Sequence, residues 1–318
     1  MNEDKRLQIC CVSDKKYTKL LKPFLRSLFY HNDDVSVHVT LVNCDELNDE
    51  IMSINDNITI NNENIELSTK RTNLVRHGGL LYDSIYNTTT KPIPGGFNGP
   101  RFLTSDLACY CSNIRFRVIE RILKKGYENV LFMDVDAIVK KNLKSLYNII
   151  KDHDITIMKE SRGFNSESIT ISDQLAPPDR IDWHCGIIGV HNSNTAMDFI
   201  KTLKERTEND MWNWDADQDQ FNITFNDFKD RIKLKNLPKE YKDEGYTLRS
   251  DTPKQHRYYD HKTKTCNVDK YTHKNERCKY SDESYIWCGA GEAKYSNEQY
   301  ITEQNKWNDI VSTTMEHK

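Results

Sequence analysis

The chain has 318 residues, enough for one large α/β domain or two smaller ones with a sizeable core. Its net charge of −3 argues against a chain that binds nucleic acids over its whole surface, and its aromatic content of 10% argues against disorder. No apolar run approaches the roughly 18 residues of a membrane helix, and acidic residues precede the first apolar segment, unlike in a signal peptide. We therefore expect a soluble, cytoplasmic protein whose nine cysteines are mostly reduced core residues.

The beginning of the chain alternates strand and helix patterns. Residues 6–14 predict a buried strand, residues 15–32 have the apolar spacing of an amphipathic helix, and residues 35–45 predict a second strand. A strand, a helix and a strand within about forty residues form a βαβ unit, which implies a parallel sheet.

The alternation continues after an irregular loop at 87–100 that is rich in proline and glycine. Thr104 or Ser105 is predicted to cap a helix that runs to about Lys125, with Gly126 just past its end. The later elements are predicted strands at 155–160 and 185–192, and predicted helices at 142–152, at 194–209 with Asn194 as its cap, and from 217 onwards. The pattern predicts an α/β fold with a mostly parallel, mixed sheet flanked by helices.

Residues 229–279, the basic segment, differ from the rest of the chain. They contain fifteen Lys or Arg against eight Asp or Glu and show little apolar periodicity. We predict a loop-rich region that is either a solvated lobe or a surface for an anionic donor or acceptor. The predicted division is a core over 1–228, a basic insert packed on it over 229–280, and a C-terminal segment over 281–318 that completes the site.

Two carboxylates interrupt the end of the apolar run in "ENVLFMDVDAIVK". Asp134 and Asp136 share one face of a strand, and at the carboxyl end of a parallel sheet both point into the crevice where ligands bind. Desolvating two like charges together is costly unless a cation lies beside them. Carboxylates suit Mg²⁺ and Mn²⁺, which also bridge phosphates, so the pair predicts a metal–diphosphate site. The alternative interpretation is an acidic surface turn.

Short motifs in a fixed order accompany this strand: "ICCVSDKKY", "SNIRFRVIERIL", "VLFMDVDAIV", "HCGIIGVHN", "DADQDQFN" and "CGAGEAK". With them the chain resembles GT-A glycosyltransferases, most closely the family 8 type that includes lipopolysaccharide galactosyltransferases and glycogenin. The resemblance covers most of the chain but not the basic insert. It implies a Rossmann-like GT-A fold and transfer of a sugar from a nucleotide donor, usually UDP-linked, with retention at the anomeric carbon.

The resemblance implies a set of donor-binding residues in the first half of the chain. Val12 and Asp14 would meet the uracil, and Tyr17 would stack on it, although Asp14 by itself also fits a helix cap. Arg117 lies seventeen residues before the first Asp of the metal strand, the separation that the family keeps. It would brace a metal-site carboxylate or a sugar hydroxyl, and Arg115 is the closest competitor for that role.

The second half of the chain would supply the sugar and leaving-group contacts. His184 replaces the family's Asn and would hydrogen-bond the sugar or be structural. Asp217 would bind hydroxyls of the donor sugar, and Gln218 would lie beneath the anomeric carbon, where its carbonyl oxygen stabilises an oxocarbenium-like charge. Gly291 would let the backbone approach the diphosphate, and Lys294 would neutralise the departing group.

The resemblance also implies the metal ligands. Asp134 and Asp136 would hold Mn²⁺ or Mg²⁺, with Asp134 also placed to meet the donor's ribose. Cys288 stands where the family has a metal-binding His, but a thiolate is a soft ligand and matches a hard ion poorly.

Three alternatives stay open from the sequence. An inverting transferase on the same fold would use Asp217 or Asp219 as a base to deprotonate the acceptor. A nucleotidyltransferase would normally carry a Gly-rich phosphate loop directly after the first strand. It is disfavoured because "VSDKKYTK" contains no Gly. A non-catalytic nucleic-acid-binding protein would use the basic segment, which could equally help an enzyme to bind a nucleic-acid acceptor in place of a glycan.

Overall fold

The computed structural model describes residues 7–67, 74–77, 80–83, 106–160, 182–212, 216–243, 257–260, 265–268, 280–289, 294 and 297–309. The strands are β1 (Leu7–Asp14), β2 (Val35–Val42), β3 (Ile58–Glu63), β4 (Leu74–His77), β5 (Leu80–Asp83), β6 (Asn129–Met133), β7 (Ala137–Val139), β8 (Ile155–Glu160), β9 (Asp182–His191), β10 (Leu234–Asn236), β11 (Arg257–Asp260), β12 (Thr265–Val268) and β13 (Ile286–Cys288). The α-helices are α1 (Thr18–His31), α2 (Asn48–Met52), α3 (Asp106–Asn113), α4 (Arg115–Leu123), α5 (Lys144–Lys151), α6 (Asn194–Asn209), α7 (Ala216–Phe228) and α8 (Glu298–Asp309).

One seven-stranded sheet organises the described part of the chain. Its strand order is β10-β8-β9-β6-β1-β2-β3. Strand β9 runs antiparallel to both of its neighbours, β6 and β8, and the other pairs are parallel. This mixed, mostly parallel sheet flanked by helices confirms the predicted α/β class, and β1, α1 and β2 form the predicted βαβ unit.

Strand β1 runs through the middle of the sheet, and all eight of its residues are buried. Leu7, Ile9 and Cys11 pack on the side of the sheet that α1 covers, whereas Cys10 and Val12 pack on the side covered by α4 and α6. The strand is apolar on both faces because helices cover both faces, which is the usual composition of a central strand in a parallel sheet.

The chain from β7 to the start of α5 is attached to helix α1 by Ser27 of that helix and by Asn32, its C-cap residue. The backbone N–H of Val139 donates to Ser27 Oγ at 3.1 Å, and the N–H of Leu143 donates to Asn32 Oδ1 at 2.7 Å. Asn32 in turn donates to the Leu28 carbonyl at 3.0 Å. These buried bonds fix the direction in which the chain leaves the carboxyl end of β6.

The C-terminal part of the described chain returns to the same edge of the sheet. Strand β13 pairs antiparallel with β7, directly after the turn. Helix α8 packs on α1, where Arg26 donates to the Trp307 carbonyl at 2.9 Å and to the Asn308 carbonyl at 2.7 Å. The last described helix therefore holds β13 against the carboxyl edge of the sheet.

The structure corrects two helix predictions. The helix expected to run to about Lys125 is two helices, α3 and α4, separated by the single residue Ile114. Helix α6 is capped by Ser193, whose Oγ accepts the Ala196 N–H at 3.0 Å, and not by Asn194. Gly126 follows α4 with a φ of 89°, as its predicted place past a helix end requires. The loop at 87–100 lies outside the described residues.

Only the first part of the basic segment that the structure describes joins the seven-stranded sheet, whereas β11 and β12 pair with each other in a separate two-stranded sheet. Strand β10 extends the sheet edge beside β8, and the short helical turn Lys239–Tyr241 leads from it towards β13. The predicted division at residue 228 stays a prediction for the remainder of the segment. None of the helices in the described ranges combines the length and apolarity that crossing a membrane needs.

His38 on β2 makes the stability of this sheet dependent on pH. It is 8% exposed, and its Nε2 lies 3.0 Å from Gln8 Oε1. Burial lowers the pKa of His38 to about 4, and the positive charges of Lys125 and Arg121 contribute to the decrease. The unfolded chain binds a proton there at about pH 6.5, so between these values acid favours unfolding. We expect the free energy of unfolding to fall by about 2 kcal/mol between about pH 7.5 and about pH 5 through this group.

Denaturant unfolding of the wild type and of His38→Gln at both pH values checks this expectation. The variant lacks the titrating group, so its stability should fall less over the same range. An identical pH dependence in the two proteins would assign the acid sensitivity to other groups.

Candidate functional site

A cavity of about 290 Å³ opens at the carboxyl edge of the sheet, beside the ends of β1 and β6. The structure brings most of the predicted site residues together in its wall: Val12, Asp14, Tyr17, Asp134, Asp136, His184, Asp217, Gln218, Cys288 and Lys294. They come from β1, the turn after β6, the start of β9, helix α7 and the C-terminal region, so the fold gathers positions that are far apart in sequence. Gly291 lies outside the described residues.

Arg115 is the central cation of this cavity. Its Nη1 lies 3.7 Å from Asp134 Oδ1, and its Nη2 lies 3.3 Å from Asp217 Oδ2. The residue is 5% exposed, and its guanidinium also donates to the backbone carbonyls of Ser112 and Cys185. The planar fork of an arginine can hold two carboxylates at fixed separation in this way, which a lysine cannot do.

Asp217 is buried at the start of α7, and its carboxylate is oriented by more than the arginine. Its Oδ1 accepts the backbone N–H of Gln218 at 2.8 Å, and its own N–H donates to Asn113 Oδ1 at 3.1 Å. Burial raises the pKa of the Asp217 carboxyl above its usual value, and the guanidinium of Arg115 offsets part of that rise. The bonds join α7 to the end of α3 and place Gln218 at the cavity wall.

Asp136 is the second carboxylate of the strand-end pair, and it meets a different cation. Its Oδ2 lies 2.6 Å from Lys294 Nζ, while its backbone carbonyl accepts the Tyr300 hydroxyl at 2.7 Å and the Gly289 N–H at 2.8 Å. Burial raises the pKa of the Asp136 carboxyl, and Lys294 counters this. Lys294 also lies over the ring of Tyr17, 5.2 Å from its centroid.

The end of β1 forms another part of the wall. Asp14 is 4% exposed, and its Oδ1 accepts the Tyr17 N–H at 2.9 Å, so it orders the turn before α1 while lining the cavity. The prediction that Asp14 caps helix α1 is wrong, because the N-cap residue is Tyr17 and no side chain caps the helix; Asp14 instead bonds to the N–H of that N-cap residue. Val12 is 8% exposed beside it.

His184 lies at the start of β9, where it contacts a residue that the sequence patterns did not single out. Its Nδ1 is 3.1 Å from the Nζ of Lys242, a 4% exposed lysine from the basic segment. Gly186 makes room for this arrangement: a Cβ there would lie 2.6 Å from Asp134 Oδ2 and 3.6 Å from Lys242 Cε. No local periodicity in the sequence could have shown that Lys242 reaches the site.

The structure places Arg117 away from the cavity, which corrects its predicted role as the brace. Its Nε donates to Glu208 at 2.6 Å, and its Nη1 donates to the Tyr110 hydroxyl at 3.0 Å and lies 3.5 Å from Glu63. Arg115 occupies the bracing position instead. The physical reason is helical geometry: two residues correspond to about 200° of rotation, so the two arginines point to opposite sides of α4.

Helical spacing in fact identifies the side of these helices that faces the cavity. Ala108, Cys111, Ser112 and Arg115 all line it, at intervals of three, one and three residues. The face continues across the junction at Ile114. This spacing is the sequence signal that could have chosen Arg115 over its competitor.

The family resemblance implies a divalent cation, and the donor chemistry of the cavity fits one. The side chain of Asp134 is 44% exposed and that of Asp136 is 18% exposed. Within the described ranges, no three His, Cys, Asp or Glu side chains lie close enough together to hold a metal ion by themselves. A hard ion that takes one or two carboxylates and completes its shell with phosphate oxygens and water fits such a pair.

Cys288 also lines the cavity, as the last residue of β13. It is 7% exposed, and its backbone pairs with Ala137 of β7 while its carbonyl accepts the Tyr280 hydroxyl at 2.7 Å. The backbone at Cys288 therefore has a clear structural function in closing this edge of the site.

Comparison with known proteins identifies a family for the chain. The model of the family described as nucleotide-diphospho-sugar transferase matches residues 108–279, more than half of the chain. The match spans the cavity residues from α3 to α7 and also includes the basic segment, which the resemblance by motifs left out. No curated protein matches the sequence significantly.

Solved structures share the fold at low sequence identity. The apo structure of the bifunctional glycosyltransferase WbbM has a TM-score of 0.55 at 16% identity, covering 99% of this chain and 52% of that one. The glycosyltransferase GlyE of Streptococcus pneumoniae TIGR4 has a TM-score of 0.53 at 12% identity, covering 97% and 61%. An active-site mutant of LgtC has a TM-score of 0.50 at 13% identity, covering 96% and 97%. The chain thus spans only about half to three fifths of the length of the first two.

The mixed, mostly parallel sheet flanked by helices is the GT-A fold of these solved structures, which confirms the predicted fold class. The chain belongs to the nucleotide-diphospho-sugar transferase family.

Replacing each of the two arginines by lysine tests which of them serves the site. Arg115→Lys keeps a positive charge but cannot bridge two carboxylates, so we expect kcat/KM for nucleotide release from the donor to fall roughly 10²-fold. Arg117→Lys is the matched control on the same helix, and its effect should stay within about threefold. Steady-state kinetics on both variants, with circular dichroism to verify folding, gives the comparison. A larger loss in the Arg117 variant would return the bracing role to that residue.

Proposed function

We propose that this chain transfers a glycosyl group from a nucleotide-diphosphate sugar, UDP-linked, to an acceptor with retention at the anomeric carbon. The observation that carries the proposal is the convergence of Asp134, Asp136, Asp217, Gln218 and Lys294 in one cavity of a nucleotide-diphospho-sugar transferase fold. These are the residue types that a diphosphate, a departing nucleotide and a developing positive charge on the sugar require.

The nucleotide end of the donor would lie near the end of β1. Tyr17 is partly exposed beside the cavity and offers a ring face for the base, with Val12 and Asp14 at the base edge. Lys294 lies between this ring and Asp136, so it is the group that would receive the diphosphate. Its ammonium would neutralise the charge that develops on the leaving group as the glycosidic bond breaks.

Asp134 and Asp136 would hold the divalent cation, Mn²⁺ or Mg²⁺, together with the diphosphate. The bound ion supplies Lewis-acid stabilisation of the departing diphosphate. Cys288 would serve as a spacer in this arrangement, since a thiol binds a hard ion poorly and would have to lose a proton to do so. Because the protein offers two carboxylates and Lys294 already bonds to one of them, metal affinity should depend strongly on the presence of donor.

Retention is favoured over inversion by the contacts of Asp217. A general base must have an oxygen available to the acceptor hydroxyl. Both oxygens of Asp217 already have donors, Arg115 on one and the Gln218 N–H on the other. Asp219 is buried and does not line the cavity. The inverting alternative thus lacks a base with a free oxygen at Asp217, whereas Gln218 lines the cavity directly beside Asp217 and offers a neutral amide.

Loss of one metal-site carboxylate tests the proposal as a whole. With Mn²⁺ and a panel of nucleotide sugars, the wild type should release nucleotide from UDP-linked donors in a chelator-sensitive reaction. Asp136→Asn should reduce that release by roughly 10²-fold or more, because the diphosphate loses a group that fixes its counter-ion. Asp198→Asn, an exposed position on α6, is the matched control and should leave the rate unchanged.

Undiminished, chelator-resistant activity in Asp136→Asn would refute the metal-site assignment. Activity only with donors that are not UDP-linked would support the enzyme class and contradict the choice of UDP. Nuclear magnetic resonance of the product at the anomeric carbon separates retention from inversion.

Gln218→Ala tests the role of the amide beneath the sugar. If its carbonyl oxygen stabilises charge at the anomeric carbon, kcat should fall roughly 10²-fold while donor affinity changes little, because the contact strengthens in the transition state. Gln220→Ala, two residues along the same helix and outside the cavity, is the control. Stopped assays of turnover together with calorimetric titration of donor give both quantities. Equal turnover and equal affinity in the Gln218 variant would give that residue a structural role.

A further inference from the structure

Asn113, the last residue of α3, joins three helices through one buried side chain. The residue is 1% exposed, and both polar atoms of its amide are bonded. Nδ2 donates to the Met211 carbonyl at 2.7 Å, and Oδ1 accepts the Asp217 N–H at 3.1 Å. The amide therefore fastens the end of α3 to both sides of the connection between α6 and α7.

The two backbone partners of Asn113 explain why an amide is buried there. A backbone carbonyl only accepts and a backbone N–H only donates, so the side chain that joins them must carry a donor and an acceptor. An aspartate has no donor, and a leucine of similar shape has neither group. Asparagine is mostly exposed in folded proteins, and here its burial is compensated by bonds that hold one particular segment.

The bond to Asp217 acts at the beginning of α7. The first N–H groups of an α-helix have no partner within the helix, and α7 begins at Ala216. Asn113 supplies the acceptor for one of these groups, the N–H of Asp217. The Asp217 carboxylate accepts the next one, the N–H of Gln218, at 2.8 Å. Asn113 thus serves α7 as a capping acceptor that a different helix supplies.

The place of the Gln218 side chain follows from this attachment. The N–H of Gln218 donates to Asp217, and its carbonyl accepts from Asn222 Nδ2 at 3.1 Å, so its backbone is fixed within α7. The direction of the side chain then depends on the position and rotation of the helix. Asn113 holds the backbone of Asp217, and Arg115 holds its carboxylate at 3.3 Å, so α7 is attached from both sides of the α3–α4 junction.

The attachment acts on one side of the cavity. The proposed nucleotide and metal contacts come from β1, the turn after β6 and the C-terminal region. The two amide bonds act instead on the segment that carries Asp217 and Gln218. Loss of these bonds should displace the group beneath the anomeric carbon and leave the nucleotide contacts in place. A displacement of about 1 Å can lower a reaction rate roughly 10²-fold.

We propose that Asn113 is a positioning residue for the transfer reaction, which places the Gln218 amide beneath the anomeric carbon by fastening α7 to the end of α3. The inference rests on the proposed function and deepens it by naming what sets the geometry of that amide. Asn113 is not among the described residues that line the cavity, so it acts through Gln218.

A double-mutant cycle between Asn113→Ala and Gln218→Ala tests the proposal. Turnover of a UDP-linked donor with Mn²⁺ is measured for the wild type, both single variants and the double variant. Asn113→Ala alone should lower kcat roughly 10-fold, while the affinity for UDP, measured by calorimetry, changes less than about twofold. In the Gln218→Ala background the same substitution should lower kcat less than about twofold, because the side chain through which it acts is absent.

Asn192→Ala is the matched control for the loss of a fastening amide. Asn192 also holds two backbone groups, since its Nδ2 donates to the Leu123 carbonyl at 3.1 Å and to the Tyr127 carbonyl at 2.9 Å. It follows the end of β9, which pairs with the beginning of β6, at the edge of the sheet opposite the cavity. Both variants should lower the Tm of thermal unfolding, but only Asn113→Ala should lower kcat.

Three results overturn the inference. One is an equal fall in kcat on Asn113→Ala in the wild-type and Gln218→Ala backgrounds, because the residue would then not act through Gln218. Another is an unchanged kcat in Asn113→Ala, and the third is an equal fall in Asn192→Ala. If Asn113→Ala does not fold, Asn113→Asp enters the same cycle with the same outcomes, since it keeps the acceptor for Asp217 and places an oxygen against the Met211 carbonyl.

The same measurements distinguish this inference from the proposed function. Wild-type turnover in Gln218→Ala would leave no catalytic amide to position, so it would overturn the role of Asn113 while the use of UDP-linked donors stands. Absence of nucleotide release from every UDP-linked donor by the wild type would contradict the proposed donor itself, and the inference would be rejected with it.

Discussion

The bridge from Arg115 to Asp134 and Asp217 is the interaction on which the site depends. The guanidinium of Arg115 lies between two carboxylates from different elements. Its Nη1 is 3.7 Å from Asp134 Oδ1, and its Nη2 is 3.3 Å from Asp217 Oδ2. Without that cation, burying Asp217 close to the exposed carboxylate would be opposed by both desolvation and repulsion. The bridge therefore determines how α7 can dock beside the end of β6, and that docking sets the place of Gln218.

A second pair of charges makes the site depend on the end of the described chain. Lys294 and Asp136 are separated by 158 positions, yet they meet at 2.6 Å because β13 pairs with β7 and α8 packs on α1. The Tyr300 hydroxyl adds a bond to the Asp136 carbonyl. The position of the Asp136 carboxylate and the packing of the C-terminal helix are thus coupled, so destabilising α8 would disturb the carboxylate before it disturbed the central sheet.

The sequence predicted helices and strands, because their apolar spacing and end signals are local. It did not predict which side chains from distant parts of the chain meet in the folded protein. Strand β8 and helix α6 were assigned at their observed bounds because apolar spacing extends over their whole length. The choice of Arg117 followed a linear separation from the metal strand, whereas the direction of a side chain on a helix follows rotation. The Asp-Val-Asp pair was found because like charges at the end of a buried strand need a neutralising partner. That the partners within the chain are Arg115 and a C-terminal lysine follows from packing.

The basic segment shows why composition alone could not define its function. Its excess of Lys and Arg suggested a surface, but its first described part, up to residue 243, supplies β10 to the sheet edge and a buried lysine to the cavity. A charge count does not distinguish a solvated lysine from Lys242, because the difference lies in the backbone bonds that Asp243 makes with β13. Strand β13 also pairs with β7, so the same strand supports the Asp136 side of the cavity and the segment that carries Lys242. One short strand, three residues long, thereby couples the position of Asp136 to that of the lysine beside His184.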